Sequence, residues 1–304
     1  MQKIVVVGSS NTDMIIKMQR IPKPGETIIG GEFLMAAGGK GANQAVAAAR
    51  SGGQVTFIAR VGNDLFGEQA IKGFADDGIN VDCIIKDASA PSGVALIFVG
   101  SDGENSIAVA SGANAKLSVE DIERTRDIIS SARVLLIQLE SPLETVKAAV
   151  QLAGPETIVI LNPAPAQPLD DEILRRVSIL TPNESEAELL TGVTIQNEAG
   201  AATAATALLA SGVETALITL GSQGTYVAGR EFCGIVPGFS VTPVDTTAAG
   251  DVFNGALAVA LAEKKPLREA VRFANAAGAL SVTKLGAQPS TPWRREIEAI
   301  LSTR

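Results

Sequence analysis

The 304-residue chain contains no histidine and only two cysteines, and aromatic residues make up 4% of it. Without histidine there is no Ser-His-Asp triad, no Cys-His dyad and no imidazole to ligate a metal. Cys83 and Cys233 stand far apart, in no spacing that suits zinc. They read as two small apolar core residues of a reduced protein. Positive charge is also short, since the net charge is −8. A nucleic-acid partner needs a basic face and is not expected. A phosphorylated ligand stays open, because backbone N–H groups at a helix N-terminus hold anions without a basic protein. Long apolar runs are missing too: no stretch reaches the roughly 18 residues of a membrane span. The opening MQKIVVVGSS is too short for a signal peptide or span, so a cytoplasmic location is the expectation.

The remaining composition, 46% hydrophobic and 19% charged, is that of an ordinary globular protein. KIVVVG at 3–8 reads as a strand buried on both faces. VTFIARVG, VLLIQLE, TIVILNPAP, SILTPNE and TALITLG are further strands, and helix-like segments separate them. Asp64 is expected to cap one helix, Ser118 with Asp121 to form a capping box on another, and Ser141 with Glu144 on a third. This alternation predicts an α/β fold, a doubly wound and mostly parallel sheet flanked by helices. TDMIIKM, ETIIGGEFLMAA, GVALIFVG and ENSIAVAS have no helices between them and predict a separate small β-sheet, with a hairpin at SDG, 101–103. The expected division is an α/β core of 1–10, 36–92 and 111–304, and a sheet of 11–35 and 93–110 lying over the site. The small strands carry apolar residues on both alternations, as in MIIKM and VALIFV. Such a sheet needs a cover on its second face, which predicts a homodimer formed sheet to sheet.

In a doubly wound fold, ligands bind beyond the carboxyl ends of the strands, so polar and glycine clusters there are the candidates. The strongest is VDTTAAGDVFNGALAVALA, 244–262. Ala248, Ala249 and Gly250 let a ligand approach the first turn of a long apolar helix, whose free N–H groups and dipole make an anion site. Asp251 sits at its mouth, either as a helix cap or as a carboxylate that takes a proton from an attacking hydroxyl. In AAGGKGANQ, Gly39 and Gly41 flank Lys40, and Asn43 opens a helix. Gly41 stands where a Walker loop needs Ser or Thr, and the dinucleotide fingerprint G-x-G-x-x-G is absent. A hinge and a ligand contact both suit the segment. Asn11, Asp13 and Glu140 follow strands, as sugar contacts or as turn residues. Asn183 and Glu186 open a helix, as caps or beside magnesium-bound water. Thr219, Gly221 and Gly224 suit a nucleotide loop or a plain turn.

Together these residues resemble the ribokinase (phosphofructokinase-B) family of carbohydrate kinases. The resemblance runs through nearly the whole chain. It rests on GGKGANQAVAAARSG, on DTTAAGDVFNGAL, on Asn183–Glu186 as an N-x-x-E motif, and on stretches such as QLESPLE, LNPAP and KLGAQPSTPWR. It implies ATP-dependent phosphorylation of a sugar, ribose at O5 being the expected acceptor, with the small sheet as a lid. Asp251 would be the base, and Ala248, Ala249 and Gly250 the anion hole. Asn11, Thr12, Asp13, Gly39, Lys40, Gly41, Ala42, Asn43 and Glu140 would line the ribose site. Asn183, Glu186, Thr219, Leu220, Gly221, Ser222, Gln223, Gly224 and Asn275, with Gly250, would line the nucleotide site. ATP would be used with Mg2+. A monovalent cation such as K+ would lie by Asp245, Thr247, Ser281, Lys284, Gly286 and Ser290, several of them through backbone carbonyls. The same machinery would serve fructose, deoxyribose or a nucleoside. The polar set Asn11, Asp13, Lys40, Asn43 and Glu140 and the scarcity of aromatics favour a free sugar. A sugar-binding protein without catalysis is the rival from another class.

Overall fold

The computed structural model describes residues 3–102 and 104–303. Its strands are β1 (Lys3–Val7), β2 (Asn11–Lys17), β3 (Glu32–Gly38), β4 (Gln54–Gly62), β5 (Ile84–Asp87), β6 (Gly93–Val99), β7 (Asn105–Ala110), β8 (Val134–Ile137), β9 (Ile158–Leu161), β10 (Ile179–Leu180), β11 (Thr215–Thr219), β12 (Gly224–Ala228) and β13 (Cys233–Pro237). Nine of them form one sheet in the order β13-β12-β11-β10-β9-β8-β1-β4-β5. All neighbours from β5 to β11 are parallel. β12 and β13 add an antiparallel edge, which the sequence reading did not include. β1 shows why the sheet is covered on both sides. Ile4 and Val6 belong to one buried apolar cluster, Val5 and Val7 to the other.

The topology fixes where a ligand can bind. β1 is paired with β4 on one side and β8 on the other. The connections leaving β1 and β8 therefore diverge, and a crevice opens beyond their carboxyl ends. Two helices floor it. Ala249–Ala262 is buried almost all round and packs on Lys40–Arg50. At their crossing, a Cβ on Gly255 would meet the Ala47 Cβ and the Gln44 carbonyl at 2.6 Å each. Only glycine lets these helices come so close, and their N-terminal turns meet as a result.

The small sheet runs β3-β2-β6-β7. β3 continues to Gly38, past the expected lid boundary at residue 35, whereas 25–31 is not strand. Of the expected hairpin, Ser101 and Asp102 form a turn and Gly103 lies outside the described residues. The Asp64 cap and the Ser118–Asp121 capping box are present. Ser141 is not a cap: Pro142 takes that place in an extended conformation, delaying the helix to Leu143. The cysteines are free thiols but not core residues. Cys83 is half-buried, and Cys233 is exposed where the edge strand β13 begins, its Sγ 3.3 Å from the Tyr226 hydroxyl. Among the described residues, no helix is long and apolar enough to cross a membrane.

Candidate active site

The crevice is lined at its deep end by side chains from five chain segments. After β1, the Ser9 hydroxyl donates to Glu140 Oε2 at 2.5 Å, and the Lys40 N–H donates to the same oxygen at 3.0 Å. Glu140 thus closes the switch point, tying the end of β8 to the end of β1 and to the start of the Lys40–Arg50 helix. Gly39 precedes that helix at φ +89°, and its carbonyl accepts from the Asn43 N–H. Asn43 Nδ2 donates to Asp251 Oδ2 at 3.0 Å, and Gln44 Nε2 donates to Asp251 Oδ1 at 2.9 Å. Asn43 Oδ1 is buried without a partner among the described residues. A buried acceptor left free costs energy unless a ligand donor meets it.

Asp13 lies on the face of the small sheet that also carries Asn11, its carboxylate folded over the Gly38 backbone. Asn11 Oδ1 accepts from Asn114 Nδ2, and Asn114 also brackets Ser10 through two bonds. Thr12 projects to the opposite face by strand alternation, so its side chain does not share this site. Nor do Gly41 and Ala42 point into it: their N–H groups bond the Ser9 hydroxyl and carbonyl, packing the helix on β1.

The electrostatics are those of an acidic nest around one cation. Burial pushes the Asp251 carboxyl above its ordinary range, against the pull of Lys40, Asn43 and Gln44, and Glu140 adds to the rise. Burial first, then Glu140 and Asp251, raise Asp13 to about 6. Burial would lower the Lys40 ammonium, yet Asp251, Glu140 and Glu186 outweigh it and hold it above its usual value. Glu186 is raised chiefly by burial, opposed by the Asn183 N–H and Lys40, with Asp251 adding. The N-x-x-E acid is thereby part of the same field.

At the mouth, Ala248 adopts a left-handed φ of 60° and begins the helix. That conformation costs an alanine ~1 kcal/mol. Gly250 is exposed, with open space where a Cβ would stand. The Gly250 and Asp251 N–H groups, in the first turn, have no carbonyl to meet within the helix. This geometry suits an anion, with a carboxylate beside it.

The trough continues along the strand ends. Asn183 and Glu186 form a reciprocal capping box at 2.8 Å each way. Asn183 bridges to Thr219. Gly221–Gln223 make an exposed turn after β11, closed by the Leu220 N–H donating to the Gly224 carbonyl, while Leu220 itself is buried. Asn275 is spent on structure: Oδ1 accepts from Thr225, and Nδ2 donates to the Val236 and Pro237 carbonyls. Further round, Asp245 Oδ1 accepts from the Thr247 N–H and hydroxyl, and Oδ2 from the Gly286 N–H. These bonds and the charge of Lys17 outweigh burial and hold the Asp245 carboxyl low. The Lys284 ammonium turns away to Glu296. The Ser281 and Ser290 hydroxyls bond the Gly278 and Ala287 carbonyls.

Ser9, Gln44, Asn114, Gln138, Asn162, Thr181 and Asn254 were not anticipated. Gln138, Asn162 and Thr181 are polar residues at or just past the ends of buried strands, the same signal that singled out Glu140 and Asn183.

Comparison with known proteins bears directly on this arrangement. Residues 1–294 match the family described as pfkB family carbohydrate kinase. The chain is 47% identical to a ribokinase of Haemophilus influenzae, over 96% of each. A ribokinase structure from Thermotoga maritima superposes with a TM-score of 0.91 at 42% identity, covering 99% of this chain and 100% of that one. An Arabidopsis thaliana ribokinase, solved with ribose and ATP, superposes with a TM-score of 0.88 at 35% identity, covering 99% and 98%. A match across so much of the sequence, on a sheet whose switch point holds a carboxylate beside an anion-binding helix end, leaves one placement: the chain belongs to the pfkB family of carbohydrate kinases.

Proposed function

We propose that this kinase transfers the γ-phosphoryl group of ATP to the 5-hydroxyl of D-ribose. The observation that carries the reading is Asp251, buried at the open end of a helix N-terminus and held by Asn43 Nδ2, while Asn43 Oδ1 is left without a partner among the described residues. The sugar lies at the deep end, where its hydroxyls meet Asp13, Lys40, Asn43, Glu140 and Asn11. The nucleotide lies along the exposed end, by Asn183, Thr219 and the Gly221–Gln223 turn. Asp251 accepts the O5 proton as the O5–P bond forms. The bond from phosphorus to the β-phosphate oxygen breaks, and ADP leaves with its electrons. The first-turn N–H groups of the Ala249–Ala262 helix stabilise charge on the transferred group. Closure of the small sheet over the sugar, with boundaries near 11–35 and 93–110, excludes water as a competing acceptor.

Two ions suit the residues present. Glu186 keeps an oxygen beyond its capping bond and faces the phosphate end. It would hold water around Mg2+, which supplies charge neutralisation of the phosphates. Asp245 stitches 245–247 to the 281–290 segment, as a loop that wraps a K+ ion with its carbonyls requires. The outer face of the small sheet bears Phe33, Met35 and Leu96, exposed at 58%, 48% and 45%. A second copy would cover it, making a homodimer. Two free thiols suit a reducing cytoplasm.

The decisive experiment is ADP release with ribose, deoxyribose, fructose and adenosine, with K+ or Na+ at fixed ionic strength. Ribose in K+ should be fastest. Preference for a nucleoside, or for fructose 6-phosphate added to the panel, overturns the substrate. Equal rates in K+ and Na+ remove the cation, and a monomer by light scattering at micromolar concentration removes the dimer.

A further inference from the structure

A carboxylate that acts as a base must be held in one orientation toward the attacking hydroxyl. Five buried side chains answer that. Gln138 Nε2 donates to Gln44 Oε1 at 2.6 Å, and Gln44 Nε2 donates both to Asp251 Oδ1 at 2.9 Å and to Asn162 Oδ1 at 3.0 Å. Asn162 Nδ2 donates to the Thr181 carbonyl at 3.0 Å, and the Thr181 hydroxyl to Asn254 Oδ1 at 2.7 Å. Asn254 Nδ2 closes the path on the Gly250 carbonyl at 2.8 Å. The chain leaves Asp251 by one route and returns to the adjoining peptide by another, crossing the ends of β8, β9 and β10.

Its polarity is forced. An ionised carboxylate only accepts, so the Gln44 atom facing Asp251 is the amide nitrogen. Gln44 Oε1 then faces Gln138, which must present its own nitrogen. That leaves Gln138 Oε1 pressed toward Gly8 without a partner. A buried acceptor left unmade is costly, and reversing the Gln138 amide would leave two acceptors facing each other at 2.6 Å. The orphaned oxygen is therefore the consequence of one requirement, a donor fixed on Asp251.

We infer that Gln44, oriented by Gln138, is a positioning residue that fixes the catalytic carboxylate of Asp251. Gln44 is wholly buried, and its amide is taken up by Asp251, Asn162 and Gln138. It acts by holding Oδ1, while Asn43 holds Oδ2, so that the carboxylate cannot rotate away from the attacking hydroxyl. Its bond also opposes the burial that raises Asp251. Loss of the donor must therefore move the acid limb of turnover to higher pH. This inference rests on Asp251 being the base.

The test compares wild type, Gln44→Met, Gln138→Met and Asp251→Asn as full-length enzymes. Met keeps the length of the glutamine and removes its amide. For Gln44→Met, kcat should fall roughly 10-fold or more, as a misplaced catalytic group does. The KM for ATP should stay within about 2-fold, and the acid limb of kcat should shift upward. Gln138→Met frees the Gln44 amide to turn, so it should move kcat and the acid limb the same way by less. A merely structural role would lower the melting temperature and leave the acid limb in place. That result, or normal turnover in both methionine variants, overturns the inference. Should Gln44→Met not fold, Gln138→Met alone decides by its acid limb. If Asp251→Asn keeps near-normal turnover, the proposed mechanism fails first. If Asp251→Asn is inactive and the methionine variants are normal, only this inference fails.

Discussion

The two ends of the trough are built from different materials. At the deep end the polar groups are buried side chains: Asp251 and Asn43 are nearly inaccessible, and Lys40 is held among Asp251, Glu140 and Glu186. At the shallow end, the Gly221–Gln223 turn is exposed, and Asn275 has spent its side chain on Thr225, Val236 and Pro237. Burial strengthens charge and hydrogen bonding, so a sugar with many hydroxyls is read well by groups held in a dry site. A nucleotide's phosphates are met by backbone N–H groups, which every residue but proline supplies. The difference teaches that side-chain substitutions should be severe at the sugar end and mild at the nucleotide end.

The largest effect expected is that of Asp251→Asn. Asparagine keeps the size of aspartate but cannot take the hydroxyl proton. Turnover at saturating ribose and ATP should fall roughly 100-fold or more, the usual size of a general-base contribution. A thermal melt should show a folded protein. Near-normal turnover would rule out Asp251 as the base and erase the contrast between the two ends.

Next in size is a pH effect on ribose binding. Asp13 is raised to about 6 by burial, then by Glu140 and Asp251. A raised acid favours its protonated form, so the folded protein gains stability at low pH and loses it as pH climbs through about 6. Ribose binding runs the other way, because the ionised carboxylate accepts the sugar hydroxyls. Below pH 6 the competent fraction shrinks, and the dissociation constant should rise about 10-fold by pH 5. Calorimetry with ribose and no ATP measures this apart from catalysis. Asp251 titrates in the same nest, so Asp13→Asn is the control: it should bind weakly at every pH, without that slope, and melt higher at pH 8. An unchanged slope would assign the titration to another group.

A third substitution acts through packing alone. Gly255→Ala pushes a methyl into Ala47 and the Gln44 carbonyl, and overpacking of this kind costs about 1–3 kcal/mol. Because the same crossing sets Gln44 against Asp251, kcat should drop several-fold while the ATP KM holds. A loss of stability with no change in kcat would separate the crossing from the site.

The sequence and the structure agree where local rules suffice. Gly250–Asp251 before an apolar helix, Lys40 and Asn43 at another helix start, and Glu140 past a strand end were all visible in sequence, and the fold brings them together. Asp245 and Thr247 are likewise joined to Gly286. What escaped detection depends on distance in sequence. Gln44 follows Asn43 and looks like any helical residue. Its meaning comes from Gly255 on a helix some 200 positions on, which lets the two helices touch. β12 and β13 escaped because no α-helix separates them from β11, only the Gly221–Gln223 turn, so they break the strand–helix alternation; Ser141 looked like a cap because Pro142 gave no hint of its extended backbone.

The smallest effect expected is Gln223→Ala, and it tests the mild half of the contrast. Gln223 sits in a short exposed turn. Its N–H donates to the Leu220 carbonyl and its carbonyl accepts from the Gly238 N–H, and both bonds survive truncation to alanine. An exposed side chain removed without disturbing the backbone changes a free energy by about 0.5 kcal/mol or less. The ATP KM should therefore stay within about 2-fold, and the ribose KM and kcat should not move. The measurement is initial rate against ATP at saturating ribose, with the melting temperature as a check on folding. A 10-fold rise in the ATP KM with the fold intact would show that the nucleotide end also reads through side chains. The contrast would then lie in exposure alone, not in which atoms make the contacts.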